Sequence, residues 1–87
     1  FDCSGLVLWS YAQQGITVPR TSQAQMAGGT PVSREELQPG DVVGFYPGAT
    51  HVGIYAGDNK ILHDSDYGIP VQVVSMDSMP YYGARRY

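Results

Sequence analysis

The sequence is short of positive charge, has a single cysteine and lacks any long apolar run, and each shortage removes a class of function. Five Lys and Arg stand against eight Asp and Glu, a formal net charge of −3. The basic residues are scattered apart from the Arg85–Arg86 pair, so the chain carries no electrostatic footprint for nucleic acid. No apolar stretch approaches the roughly 20 residues that a membrane-spanning helix needs, so no integral membrane segment is expected. One cysteine, Cys3, cannot build an internal disulfide framework; its thiol is free, intermolecular, metal-bound or reactive. There is no initiator Met either: the chain opens at Phe1-Asp2-Cys3, which reads as a segment of something longer.

What is present fits one small domain. The 87 residues, 43% of them hydrophobic, are evenly patterned, and one core over residues 1–87 is the expectation. From Ser4 to Gln14, Leu6, Val7, Trp9 and Tyr11 fall near helical spacing, and Gly15 is placed to end a helix. Asp2 or Ser4 caps its start, which puts Cys3 in the first turn. Trp9 reads as core. A short capped helix follows over Thr21–Met26, closed by Gly28-Gly29, and the Ser33 to Glu36 spacing predicts one further helical turn. The second half changes period. Val42–Tyr46, His51–Ala56, Lys60–Asp64, Val71–Val74 and Tyr81–Tyr87 are β-prone runs separated by turn residues. Helices first and strands after predict an α+β domain with an antiparallel sheet.

A thiol is a useful nucleophile only as a thiolate, and a helix start is one of the few places that favours the anion. It also needs a base, and the chain has two histidines, His51 and His63. A three-residue loop at Gly57-Asp58-Asn59 sets Ala56 opposite Lys60 and Gly53 opposite His63, so that the two histidines share a face. A two-residue loop at Asp58-Asn59 would put them on opposite faces, because a one-residue slip flips every side chain. With the first register, Cys3, His51 and His63 supply a nucleophile, a base and a group that orients the base. Zinc is the competing use of one Cys and two His, with Asp64 or Asp66 as a fourth ligand, but close ligand pairs such as C-x-x-C are missing and no metal is expected. Asp64-Ser65-Asp66 lacks the other ligands of a calcium loop and reads as a solvated turn. Tyr46, Tyr55, Tyr67, Tyr81 and Tyr82 are candidates for lining a cleft, with sheet packing as the plainer role. Asp41 after Pro39-Gly40 reads as ending a turn.

The combination of Phe1-Asp2-Cys3-Ser4-Gly5-Leu6-Val7, Val18-Pro19-Arg20-Thr21-Ser22, Leu37-Gln38-Pro39-Gly40-Asp41-Val42-Val43, His51-Val52-Gly53-Ile54-Tyr55-Ala56-Gly57 and Ile61-Leu62-His63 resembles the NlpC/p60 cell-wall cysteine peptidases, in order and spacing and over nearly the whole chain. The resemblance implies a papain-like core, with a helix carrying Cys3 packed on an antiparallel sheet carrying the base. It implies Cys3 as nucleophile, His51 as base and His63 as the orienting residue. It nominates Asp2, Ser4, Arg20 and Ser22 as substrate-binding. The secreted actinobacterial members cut between D-glutamate and meso-diaminopimelate in peptidoglycan stem peptides, so this chain is expected to be a secreted or wall-associated monomer with stem peptides as its partner and no cofactor. The family normally carries a helix and an aromatic, glycine-containing stretch ahead of the Cys, contributing a tyrosine near it; residues 1–87 are expected to be a catalytic domain lacking that N-terminal segment. Alternatives are a non-catalytic peptidoglycan-binding module, a papain-like amidase or a lipid acyl transferase; the order Cys, His, His favours the peptidase.

Overall fold

A computed structural model describes residues 2–64 and 71–87. Helix α1 runs Cys3–Ala12 and α2 runs Ser22–Ala27; the strands are β1 (Thr30–Pro31), β2 (Val42–Phe45), β3 (His51–Gly57), β4 (Lys60–His63), β5 (Gln72–Ser75) and β6 (Tyr81–Arg86). The expected α+β division holds. Single 3₁₀ turns at Arg34–Glu36 and Met76–Ser78 complete the described elements. The first was expected from the Ser33 and Glu36 spacing; the second was not.

The sheet order is β1-β6-β2-β3-β4-β5, with antiparallel pairing throughout. Strand β1 has no signature in the residues: it is two residues long, and Pro31 has no N–H to offer a ladder, which confines it to an edge. All four residues of β2 are buried, because β2 is covered on both faces. On the helix side Val42 packs with Val7, Val18, Met26, Ala49 and Val52. On the other face Val43 and Phe45 pack with Ile61, Met76 and Ala84. Ile61 is fully buried, so Ile61→Ala is expected to lower the unfolding free energy by about 3 kcal/mol, read as a reduced urea midpoint at unchanged slope.

Trp9 corrects one expectation: it is 50% exposed. Helix α1 turns Ser4, Val7 and Tyr11 toward the sheet. Two residues beyond Val7 is about 200° around the helix, which sends Trp9 outward. Asp41 does more than end a turn. Its carboxylate accepts from the Gln38 N–H at 2.9 Å and from Arg86 Nε and Nη2, both at 2.8 Å, tying the entry of β2 to the end of β6. Burial pushes this carboxyl upward, but the bonds from Arg86 and Gln38 outweigh it and hold it below its ordinary value.

The hairpin between β3 and β4 decides where the histidines point. The loop has two residues: Asp58 and Asn59 are both left-handed, with φ of 55° and 59°, and Gly57 pairs with Lys60. That is the mirror-image turn favoured by hairpin twist, not the expected three-residue loop. The register then shifts between Tyr55 and Gly57, so that Tyr55 faces Ile61 and Ile54 faces Leu62. Ala56 is the extra residue of a bulge and is exposed. The expected pairing of Ala56 with Lys60 is therefore wrong, while the expected pairing holds from Tyr55 onward. The bulge restores the parity that a two-residue loop alone would have reversed.

Candidate active site

Cys3 opens α1 and is half-buried, packed at the edge of the helix-side cluster. The local sequence dictates this start. Asp2 stays extended at φ −99°, ψ 178°, and its Oδ1 accepts the Gly5 N–H at 2.7 Å, the N-cap arrangement. Gly5 permits it: a Cβ there would lie 2.7 Å from Asp2 Oδ1.

His51 is the first residue of β3 and His63 the last of β4. With Ile54 opposite Leu62, Gly53 lies opposite His63, and a Cβ on Gly53 would sit 2.9 Å from the Leu62 carbonyl and 3.3 Å from His63 Cβ. Only glycine leaves His63 space to lean toward His51. The two rings meet edge to face at 88°, and His51 Nε2 lies 2.8 Å from His63 Nδ1. This shared face was expected from parity, and the contact is direct.

The contact constrains the tautomers to two complementary pairs. A hydrogen bond between two imidazoles needs one N–H and one lone pair. When His51 Nε2–H donates to His63 Nδ1, the lone pair of His51 stands on Nδ1, free to take a proton. Burial, followed by the neighbouring His63, pulls the His51 pKa below 6.5, with Asp64 opposing. Burial lowers His63 as well, again against Asp64. Both shifts favour the neutral imidazole.

Helix α1 packs against β3, the strand that His51 opens. Cys3 lies on the helix side, whereas His51 shares the strand face of Phe45, its partner across β2, with ring centroids 6.3 Å apart. The structure brings the two histidines together and forms no hydrogen bond between Cys3 Sγ and His51 among the described residues. Beside the pair lies a cleft of about 300 Å³ lined by Tyr46, Thr50, His51, His63 and Met79.

Three nominated substrate residues gather around Cys3. Arg20 Nη1 donates to Ser4 Oγ at 2.8 Å and Nη2 to Asp2 Oδ2 at 3.2 Å. Ser22 is buried at the start of α2, donating to Gln23 Oε1 at 3.2 Å. Gln25 was missed. It is fully buried, and its Nε2 donates to the carbonyls of Ser4 at 3.0 Å and Pro19 at 2.8 Å. A glutamine in a short polar helix carries no sign of that role in the sequence. Of the tyrosines, Tyr46 lines the histidine cleft, Tyr55 Oη accepts the Asn59 N–H at 3.2 Å, Tyr81 lies under Arg34, and Tyr82 is exposed. Tyr67, Ser65 and Asp66 fall outside the described residues. Among the described residues no three His, Cys, Asp or Glu side chains come together to hold a metal ion. No helix among them is long and apolar enough to cross a membrane.

A helix that opens on a thiol and packs on an antiparallel sheet bearing paired imidazoles defines a papain-like α+β domain. The NlpC/P60 family model matches residues 1–85, and the chain belongs to that family. It is 58% identical over 88 residues to a probable endopeptidase of Mycobacterium tuberculosis (strain ATCC 25618 / H37Rv), covering 100% of this chain and 23% of that protein. The crystal structure of an NlpC/P60 family protein from Bacillus cereus superposes with a TM-score of 0.93 at 35% identity, covering 100% of this chain and 32% of the other. The peptidoglycan hydrolase RipB from Mycobacterium tuberculosis does so at 0.84 and 34%, over 99% and 44%. The chain thus spans less than a quarter of the length of the first of these relatives, which is named a probable endopeptidase.

Proposed function

We propose that this domain is a cysteine endopeptidase that hydrolyses peptidoglycan stem peptides, at the bond between D-glutamate and meso-diaminopimelate, with Cys3 as nucleophile, His51 as base and His63 as its orienting partner. The observation that carries the reading is the His51–His63 bond, which engages Nε2 and, with His51 donating, leaves the Nδ1 lone pair for the thiol proton.

His51 Nδ1 takes the Cys3 proton, and the thiolate attacks the amide carbon. The protonated imidazole returns that proton to the leaving amine, giving a thioester and a free amine. A water molecule, deprotonated by the same nitrogen, attacks the thioester and restores the thiol. The N–H groups of Cys3 and Ser4, at the start of α1, stabilise the oxyanion. His51 opens its strand and is only half-buried, so its ring stands at the rim of the sheet, and the thiol–imidazole bond closes as substrate settles, as catalytic hydrogen bonds often do. Asp2, Ser4, Arg20 and Ser22 border the region that receives the peptide. The domain works as a monomer, without cofactor, on the secreted or wall-associated side of the cell.

Two further readings, a peptidoglycan-binding module without turnover and an amidase on the sugar–peptide link, separate in one experiment. Digestion of purified peptidoglycan followed by mass spectrometry is expected to give fragments ending in D-glutamate together with fragments opening at meso-diaminopimelate. Intact glycan with freed whole stem peptides would identify an amidase, and no soluble products at all would leave only binding.

A further inference from the structure

We infer that Arg20 is a positioning residue for the nucleophile: its guanidinium fastens the residues on both sides of Cys3 and balances the carboxylate beside it. The inference rests on the cysteine-peptidase reading above.

Arg20 reaches back 16 residues to Ser4 and 18 to Asp2, and it spends one nitrogen on each. Ser4 Oγ, having accepted from Arg20, donates to Asp2 Oδ1 at 3.4 Å, which closes a ring of contacts around the Cys3 turn. The same Ser4 is held from below by Gln25, whose amide also grips the Pro19 carbonyl next to Arg20. Cys3 therefore sits between two neighbours that one segment, Pro19 to Gln25, fixes at three points. Such a clamp removes the freedom of a first helical turn to fray, and it holds the sulfur in one place relative to the sheet.

The charge argument points the same way. Asp2 is an anion adjacent in sequence to Cys3, and an uncompensated carboxylate disfavours a thiolate nearby. Its carboxyl is held below the ordinary range by the Gly5 N–H first and Arg20 second, so it stays ionised and Arg20 is its counter-ion. Both partners are largely in water, with side-chain exposures of 59% and 41%, so the pair adds little to global stability. Loss of Arg20 should then be felt at the sulfur and hardly in the melting curve. A residue that merely bound substrate would act through KM instead.

Arg20→Gln and Arg20→Lys, measured against the unaltered domain, test this with two readouts. Kinetics on a stem tetrapeptide are expected to show kcat down about tenfold in Arg20→Gln with KM within about twofold. Alkylation of Cys3 by iodoacetamide at pH 7, which needs no substrate, is expected to slow about fivefold. Arg20→Lys restores the charge, so alkylation recovers to within about twofold, while kcat recovers only in part because an ammonium lacks the planar fork that spans Asp2 and Ser4. A raised KM with kcat and alkylation unchanged would make Arg20 a substrate ligand and overturn the inference, as would constants that do not move at all. If the unaltered domain cleaves no stem peptide, the peptidase reading fails, and the alkylation rates still decide whether Arg20 governs the thiol.

Discussion

Cys3→Ala is expected to reduce hydrolysis of purified peptidoglycan to the uncatalysed background, a loss of at least about 10³-fold in kcat. The chain holds no other cysteine, so no second thiol can stand in, and a histidine, having no sulfur, cannot form the thioester that splits the reaction into two easier steps. The substitution should leave the fold intact. Alanine is the best helix former, Asp2 still caps α1 through the Gly5 N–H, and Cys3 is only half-buried, so little packing is lost. A circular-dichroism melt matching the parent, with sedimentation on insoluble peptidoglycan retained, would place the whole effect in chemistry. Turnover unchanged in the alanine variant would remove Cys3 from the mechanism and leave the imidazole pair without a nucleophile.

Much of this site could be read from the residues, and the unreadable parts share a cause. Helix α1, its Asp2 cap and the strand runs are local features, written in spacing and turn chemistry within about ten residues. The shared face of His51 and His63 was also legible, although by a compensation: the loop is one residue shorter than expected, and the Ala56 bulge returns the residue that the loop gave up. Gly57, at φ 84°, takes the left-handed conformation there. Parity was recoverable because side chains of a strand alternate with a period of two once a loop length is set, whereas the bulge has no signature stronger than that glycine.

What could not be read depends on distant pairs. The edge strand β1 exists only because β6, more than 50 positions later, lies beside it. Gln25 looks like any polar helix residue until α1 and the Pro19 carbonyl close over it. Trp9 misled because a periodicity match names a helix without naming the face that the sheet will cover. Arg20 was nominated through resemblance, yet what it touches, the two residues flanking Cys3, appears only in three dimensions. Local sequence thus announced the chemistry-bearing side chains, and long-range packing set how firmly they are held.

The second large effect belongs to the imidazoles. His51→Ala is expected to cost about 10³-fold in kcat, since it removes both the acceptor of the thiol proton and the donor to the leaving amine. His63→Ala is expected to cost less, about 10- to 100-fold, because the base survives while its tautomer and ring position are no longer fixed. The pH dependence separates the two roles. Burial and then His63 lower the His51 pKa, and burial lowers that of His63, so the acidic limb of kcat/KM should fall below pH 6.5. Protonating His63 at Nδ1 ends the arrangement, since two facing N–H groups cannot share one hydrogen bond 2.8 Å long, whereas protonating His51 at Nδ1 fills the lone pair that would take the thiol proton. In His63→Ala the lowering influence of His63 is gone, and the limb should move toward higher pH. Stability follows with the same sign. Both folded values lie below the unfolded 6.5, so the unfolded chain takes up protons first as pH falls; the contribution is complete above pH 6.5 and declines as acidity carries the histidines through their folded values. Urea midpoints measured from pH 8 to pH 5 should drop over that lower window in the parent and drop less in His63→Ala. A limb that stays in place in His63→Ala would mean that the bond between the two rings does not tune the base.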